Sequence, residues 1–456
     1  MMAEKRAGVL TRMAGSPMSG HFPPLDGLRG VAILMVLLHH CVALAPGSPV
    51  ARVVRSIAEA GWSGVNLFFV LSGFLISGIL LESVGSHNYY RNFYARRALR
   101  ILPLYYAFLI AFQAFAWASG RGLIGGAWHP RPASWPVWLF LTNTPELFPV
   151  GAVAGPLGPL WSLAVEEQVY LFWPFLVAWL PPRRLLQVFG ALIPASLIWR
   201  LVILAGAGRA EGAYSWMPSC LDAFAAGGAG AILVRDPSVN LGNLRRAAMV
   251  MVGGSLLYLS GLMQGLGHLN MRRALGPILS IAPTALSLVS ASLIVFCVTS
   301  RPNMGLNRVL SARWLRGLGK YSFAIYLFHT AVFQIIEPRL SVLFAPLLGD
   351  HSLTSSALVF LATVFASLLA AMASYRYFEA PILSLKRHFP SSGRGFPQSD
   401  DPIRSAVPHP YGHESTADGT GDHIWVPLVV PTSVFRFPSN DDPAERSRSG
   451  RSRIPG

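Results

Sequence analysis

Acidic side chains are sparse in this 456-residue chain: Asp and Glu number 21 against 37 Lys and Arg, and charged residues make up only 13% of it. A soluble globular domain carries roughly a quarter charged residues, so composition excludes that class. Cysteine is scarcer still, with three. Cys41, Cys220 and Cys297 all sit inside apolar runs, which excludes a disulfide framework and leaves no zinc-ligand spacing. Cys41 stands beside His40, as a thiol nucleophile beside its base would, but a small apolar filler is the preferred reading. A cleavable signal peptide is not expected, because the polar, Pro- and Gly-rich stretch from His21 to Arg29 leads into the first apolar run without a small-residue cleavage site.

What is present is hydrophobicity in long runs. Apolar residues make up 52% of the chain. Runs such as Ile101–Ala118, Ala247–Leu262, Ile278–Val298 and Leu353–Tyr375 approach the roughly 20 residues that a membrane-spanning helix needs. Ten spans are predicted, centred near Val36, Leu71, Leu109, Tyr170, Pro194, Phe224, Ser255, Leu288, Phe328 and Phe365. The fold class is therefore all-α, a polytopic membrane helical bundle. Trp135, Trp138 and Phe140 mark a shorter apolar piece, too short to span and expected to be interfacial or re-entrant.

The net charge of +16 is distributed as a topology signal rather than as a nucleic-acid surface, and no nucleic-acid partner is expected. Lys5, Arg6 and Arg12 precede the first span, Arg91, Arg96, Arg97 and Arg100 follow the second, Arg183 and Arg184 the fourth, and Arg301 to Lys320 the eighth. Cytoplasmic loops hold the excess of Lys and Arg, so both termini are expected in the cytoplasm. Arg52, Arg55, Arg272 and Arg273 run against the bias. Three regions result: a cytoplasmic segment 1–23, a membrane domain 24–385, and a tail 386–456. From Ser391 the composition turns to Pro, Ser, Gly, Asp and Arg, too polar to offset ordering entropy, so the tail is predicted to be disordered, with Ile424–Val430 a short apolar exception.

Ionisable groups inside spans cost about 3 kcal/mol or more each and are functional candidates by default. Asp26 and Arg29 lead into the apolar stretch carrying His40. Eleven residues, about three turns and about 16 Å of axis, place Arg29 and His40 on one helix face. A buried neutral His suits a general base, and equally a packed, bonded ring. Arg97 and Arg100 are three apart on a helix entering the third span, suited to bidentate phosphate recognition or to simple cytoplasmic anchoring. Glu166 and Glu167 are adjacent carboxylates in an apolar helix, where a desolvated anion needs a partner or a proton. Ser162, Glu166 and Tyr170 recur every four residues and so line one stripe. His329 is a further mid-span imidazole with no partner visible in the sequence.

Taken in order, these residues resemble the acyltransferase-3 family of bacterial membrane O-acyltransferases. The resemblance covers about Pro24 to Leu385. It runs through Leu25-Asp26-Gly27-Leu28-Arg29-Gly30 with His40, the stretch Asn66–Ile76, the Arg97–Arg100 pair, Trp161-Ser162-Leu163 with Glu166, Glu167 and Tyr170, Ser322–His329, and Tyr377-Phe378-Glu379-Ala380-Pro381. It implies that His40 acts in catalysis and that Arg97 and Arg100 assist acyl-CoA binding. Family members decorate surface polysaccharides, lipopolysaccharide, oligosaccharides, peptidoglycan and macrolides, and some carry a fused periplasmic SGNH hydrolase-like domain. The residues after Leu385 are too few and too polar for that domain, so direct transfer of a small acyl group is expected.

The expected reaction moves an acyl group, acetyl foremost, from cytoplasmic acyl-CoA to a hydroxyl of a carbohydrate or glycolipid acceptor, with no permanently bound cofactor or metal. Arg97 and Arg100 would hold the donor phosphates, Arg29 steady the donor, and His40 deprotonate the acceptor or carry the acyl group. Glu166 or Glu167 would orient His40 or the sugar from the outer side. A proton-coupled secondary transporter is the rival, since intramembrane His, Arg and Glu also build proton relays, but it should show paired halves and no internal repeat is visible. A non-catalytic glycan-binding family member is the other.

Overall fold

The computed structural model describes residues 22–42, 44, 48–121, 133–147, 155–207, 210–266, 271–301, 304–348 and 352–390. Among them there is no strand. The helices are α1 (Pro23–Cys41), α2 (Pro49–Ala60), α3 (Ser63–Ser83), α4 (Tyr89–Gly120), the single turn α5 (Trp135–Trp138), α6 (Leu160–Trp179), α7 (Pro182–Ala207), α8 (Ala210–Ser215) and α9 (Met217–Leu233). They continue as α10 (Leu241–Leu266), α11 (Met271–Thr299), α12 (Gly305–Leu310), α13 (Arg313–Leu348) and α14 (Leu353–Ser374). A π-turn over Tyr375–Glu379 and a short α15 (Ala380–Ser384) close the domain. Local signals start several helices where the sequence marks them. Proline opens α1 and α2, where its missing N–H has no partner to lose. The hydroxyls of Ser48 and Ser352 accept from Ala51 N and Ser355 N, each at 3.2 Å, capping α2 and α14.

All ten predicted span centres fall inside long helices, of 17 to 36 residues. Among the described residues, five segments are long and apolar enough to cross a membrane: Pro49–Ser83, Tyr89–Gly120, Pro182–Gly206, Ser280–Thr299 and Leu353–His388. The helices α1, α6 and α13, which hold most of the candidate site residues, are not among the five. Buried polar side chains lower a helix's hydropathy whether or not it crosses a bilayer. Large apolar residues point outward on several helices, including Leu171, Trp179, Val250, Val342 and Phe365, an outer surface that suits lipid. The tail lies outside the described residues from 391 onward, as does Ile424–Val430. The segment 386–390, expected to belong to that tail, is instead ordered against α4. Arg96 donates to Lys386 O at 3.3 Å and Phe389 O at 3.0 Å, and Asn92 donates to Pro390 O at 2.6 Å.

Two helix pairs dominate the packing, α3 with α9 and α1 with α13. Both rely on glycine at the crossing. A Cβ at Gly27 would sit 1.8 Å from Leu310 O, one at Gly30 2.1 Å from Leu315 O, and one at Gly319 2.0 Å from Asp26 O. On the other pair, a Cβ at Gly73 would meet Phe224 O at 2.2 Å. Backbones this close are the small-residue packing that replaces hydrophobic drive between helices in lipid. Gly73→Ala is therefore expected to force α3 off α9 and to destabilise the protein by about 1–3 kcal/mol. Thermal unfolding in detergent checks this, and an unchanged midpoint would show that the crossing can relax.

The apolar piece around Trp135 folds as α5 and is pinned to α4. Tyr105 donates its hydroxyl to Val137 O at 2.7 Å and Tyr106 to Trp138 O at 3.1 Å, while the ring of Phe140 stacks on Tyr105 at 4.2 Å. Phe140 takes a φ of 54°, the left-handed region, where its carbonyl accepts from Gln168 Nε2 at 2.9 Å. The piece is thus fastened between α4 and α6.

Candidate active site

Helices α1 and α13 lie side by side with their N-termini at the same end, so the far end of α1 brings His40 to His329. Their ring centroids are 5.1 Å apart, and His329 Nε2 lies 3.3 Å from His40 Nδ1. His40 Nδ1 also lies 3.1 Å from Val36 O, one turn back. A carbonyl has no proton to give, so Nδ1 of neutral His40 carries the hydrogen and Nε2 keeps the lone pair. The ring of His39 meets that of His40 edge-on at 4.9 Å and is itself exposed.

Below the histidine pair runs the stripe on α6. Ser162 Oγ bonds the Tyr326 hydroxyl, and that hydroxyl reaches Pro159 O at 2.8 Å. One turn on, Glu166 Oε1 accepts from Ser72 Oγ at 2.5 Å and from the Tyr170 hydroxyl. The Tyr170 hydroxyl also lies 3.2 Å from Ser72 Oγ. Arg97 stacks over the Tyr170 ring at 5.3 Å and near Phe93 at 5.9 Å. Arg97, Arg100 and Tyr170 are each within electrostatic reach of Arg29, and Asp26 Oδ1 lies 3.9 Å from Arg29 Nη1. Glu379, in the closing π-turn, is a carboxylate in reach of Arg100. The stripe from Ser162 to Tyr170 spans eight residues, about 12 Å, so one face of α6 joins the histidine pair to the arginine cluster.

Glu166 or Glu167 is expected from the sequence to orient His40 or the sugar; Glu166 is bonded to Ser72 and Tyr170, and the side chain that meets His40 Nδ1 is His329. Glu167 points elsewhere on the helix, in reach of Arg97 and Tyr105, with Oε1 buried and unbonded. The reason is rotational: Glu167 is one residue round the helix from the stripe and so faces α4. His329, for which no partner was visible, has one. Ser72 and Tyr326 acquire site positions that no local pattern marked, although both lie in stretches that carry the family resemblance.

Two buried charged pairs are not marked by any sequence pattern, Glu82 with Arg235 at 3.0 Å and Arg200 with Asp222. Arg200 of α7 and Asp222 of α9 are 0% and 1% exposed and bonded at 2.8 Å. A lone charge inside each apolar run was the available signal. Among the described residues no three His, Cys, Asp or Glu side chains gather as a metal site. All three cysteines are buried and free, as the filler reading requires.

The pattern of the family described as an acyltransferase domain matches residues 23–376, well over half of the chain. The chain belongs to the acyltransferase-3 family. Membership embraces all the helices that build the seam from His40 to Arg100. Among curated acyltransferase-3 relatives, the chain is 25% identical over 395 residues to the peptidoglycan O-acetyltransferase OatA of Listeria monocytogenes, covering 79% of this chain and 56% of that protein. It is 29% identical over 355 residues to Bacillus subtilis YrhL, which bears a provisional peptidoglycan O-acetyltransferase name, covering 70% and 49%. It is also 29% identical over 199 residues to the O-acetyltransferase OatA of Staphylococcus aureus, covering 40% and 30%. The chain thus spans about half the length, or less, of the curated relatives it matches. No solved structure matches it.

Proposed function

We propose that this acyltransferase-3 protein transfers an acetyl group from acetyl-CoA to a hydroxyl of a carbohydrate-containing acceptor at a bacterial inner membrane. The observation that carries the reading is the His40 ring. Its Nδ1 hydrogen is tied to Val36 O and directed at His329, and its Nε2 lone pair has no partner among the described residues. An imidazole so held is a general base ready for a hydroxyl proton. The names of the relatives support acetyl as the group and a glycan as the acceptor. The reading takes the ten spans and cytoplasmic termini expected from the sequence, under which the arginine cluster is on the side where CoA is found.

In this reading the phosphates of CoA meet Arg97, Arg100 and Arg29, while the pantetheine arm lies along the α6 stripe and brings its thioester toward His40. The acceptor hydroxyl gives its proton to His40 Nε2 as its oxygen attacks the thioester carbonyl. The C–S bond breaks, and the proton passes from His40 to the departing thiolate. Tyr170 holds Arg97 in place by stacking, and Glu166 anchors the Tyr170 hydroxyl, rather than either touching the reacting atoms. Asp26 is in reach of Arg29 and Glu379 of Arg100, and the three guanidiniums together offer the charge-assisted hydrogen-bond donors that a phosphate-bearing donor needs.

The test is acetyl transfer by the detergent-purified protein from acetyl-CoA to isolated cell-wall glycan, read as thiol release and as acetyl mass gained by the glycan. Absence of both with a folded protein would sink the proposal. Arg97→Ala and Arg100→Ala are each expected to weaken acetyl-CoA binding by about 1.5–3 kcal/mol, the contribution of a hydrogen bond to a charged group. Lysine at either position should restore only part of it, because an ammonium lacks the planar fork. Unchanged affinity in both alanine variants would reduce the arginines to membrane anchors.

A further inference from the structure

Nothing local to His40 explains why a buried imidazole, 289 residues away, should face it. His329 is fully buried, and its Nδ1 lies 2.7 Å from Tyr326 O. That carbonyl forces the hydrogen onto Nδ1 and leaves Nε2 of His329 as a lone pair. Nε2 is the atom that faces His40 Nδ1. The two rings therefore interlock as donor and acceptor. The alternative His40 tautomer would turn its Nδ1 lone pair against both Val36 O and His329 Nε2, two further lone pairs. The turn that holds His329 is itself fastened: Tyr326 reaches Pro159 O at 2.8 Å, and Thr330 Oγ1 donates to Pro156 O at 3.0 Å.

We propose that His329 is a positioning residue, whose Nε2 accepts the His40 Nδ1 hydrogen, holds His40 in the tautomer with Nε2 free, and stabilises the imidazolium formed during transfer. It rests on the reading of His40 as general base. His329 exchanges no proton with substrate. The arrangement is the logic of a nucleophile, a base and a third group that orients the base, with a neutral imidazole in the third place. The titratable neighbours of the pair are His39, edge-on to His40, and Tyr326, whose ring is 5.7 Å from that of His329 and whose hydroxyl is bonded to Ser162.

Gln and Asn separate the two ends of the imidazole. His329→Gln places an acceptor near the Nε2 position, whereas His329→Asn keeps a donor near Tyr326 O and offers His40 nothing. His329→Asn is expected to lower kcat by about 10- to 100-fold, the loss of one hydrogen bond to a group that becomes charged, with the KM for acetyl-CoA unchanged. Its acid limb of kcat against pH should move to lower pH, because an imidazolium without its acceptor loses its proton more readily. His329→Gln should recover most of the rate and the original limb. Thermal unfolding identifies folded variants. Wild-type rate and limb in His329→Asn would overturn the proposal. So would a slow His329→Asn with an unmoved limb and a His329→Gln no faster, the pattern of a packing role. Full turnover in His40→Ala would overturn the general-base reading and this proposal together, so the two failures are told apart.

Discussion

His40→Ala is expected to lower acetyl transfer by about two to four orders of magnitude, the usual contribution of a positioned general base. The variant removes the one ring whose Nε2 is open while its Nδ1 is engaged on two sides. No neighbour can substitute. His329 has its lone pair turned toward His40 rather than toward substrate, and His39 is exposed on the other side of the ring. Acetyl-CoA binding should survive, because the arginine cluster lies at the other end of the α6 stripe, with Arg29 about 16 Å of helix axis from His40. Single-turnover rate and donor affinity in purified protein measure the two effects separately. If His40→Ala instead abolished donor binding while Arg97→Ala and Arg100→Ala bound normally, the division of labour along the seam would be reversed.

The second large effect concerns stability, not chemistry. Asp222→Ala is expected to destabilise the protein by about 3–5 kcal/mol, because it strands a buried guanidinium. Arg200 reaches across three helices. Its Nη2 donates to Asp222 Oδ2 at 2.8 Å and to Thr284 Oγ1 at 2.5 Å, its Nε donates to Ser280 O at 2.8 Å, and its Nη1 bonds Ser219 O. Asp222 is equally committed, accepting from Thr284 Oγ1 at 2.7 Å and from Ala223 N at 2.9 Å. The network ties α7, α9 and α11 together. Replacing both partners, as in Arg200→Met with Asp222→Leu, removes the stranded charge and should be far milder than either truncation. Thermal unfolding of the three variants gives the comparison. Equal melting of Asp222→Ala and the unaltered protein would mean that lipid or water reaches the pair.

What the residues determined by themselves was whatever repeats along one helix. The stripe of Ser162, Glu166 and Tyr170 and the closeness of Asp26 to Arg29 follow from a 3.6-residue period, and the long helices follow from the length of the apolar runs. The cost of charge in an apolar run singled out Glu166 and His329 for the same local reason. Which helix faces meet is not written in any one period. It depends on where backbones come within reach, as at Gly27, Gly30 and Gly319 between α1 and the helices α12 and α13, and at Gly73 between α3 and α9. Only the packed bundle could therefore decide that His40 pairs with His329, that Glu166 turns to Ser72 and Tyr170, and that Arg200 finds Asp222. Helix period is set within a few residues, whereas a lateral partner is chosen by steric fit between segments that can lie hundreds of residues apart.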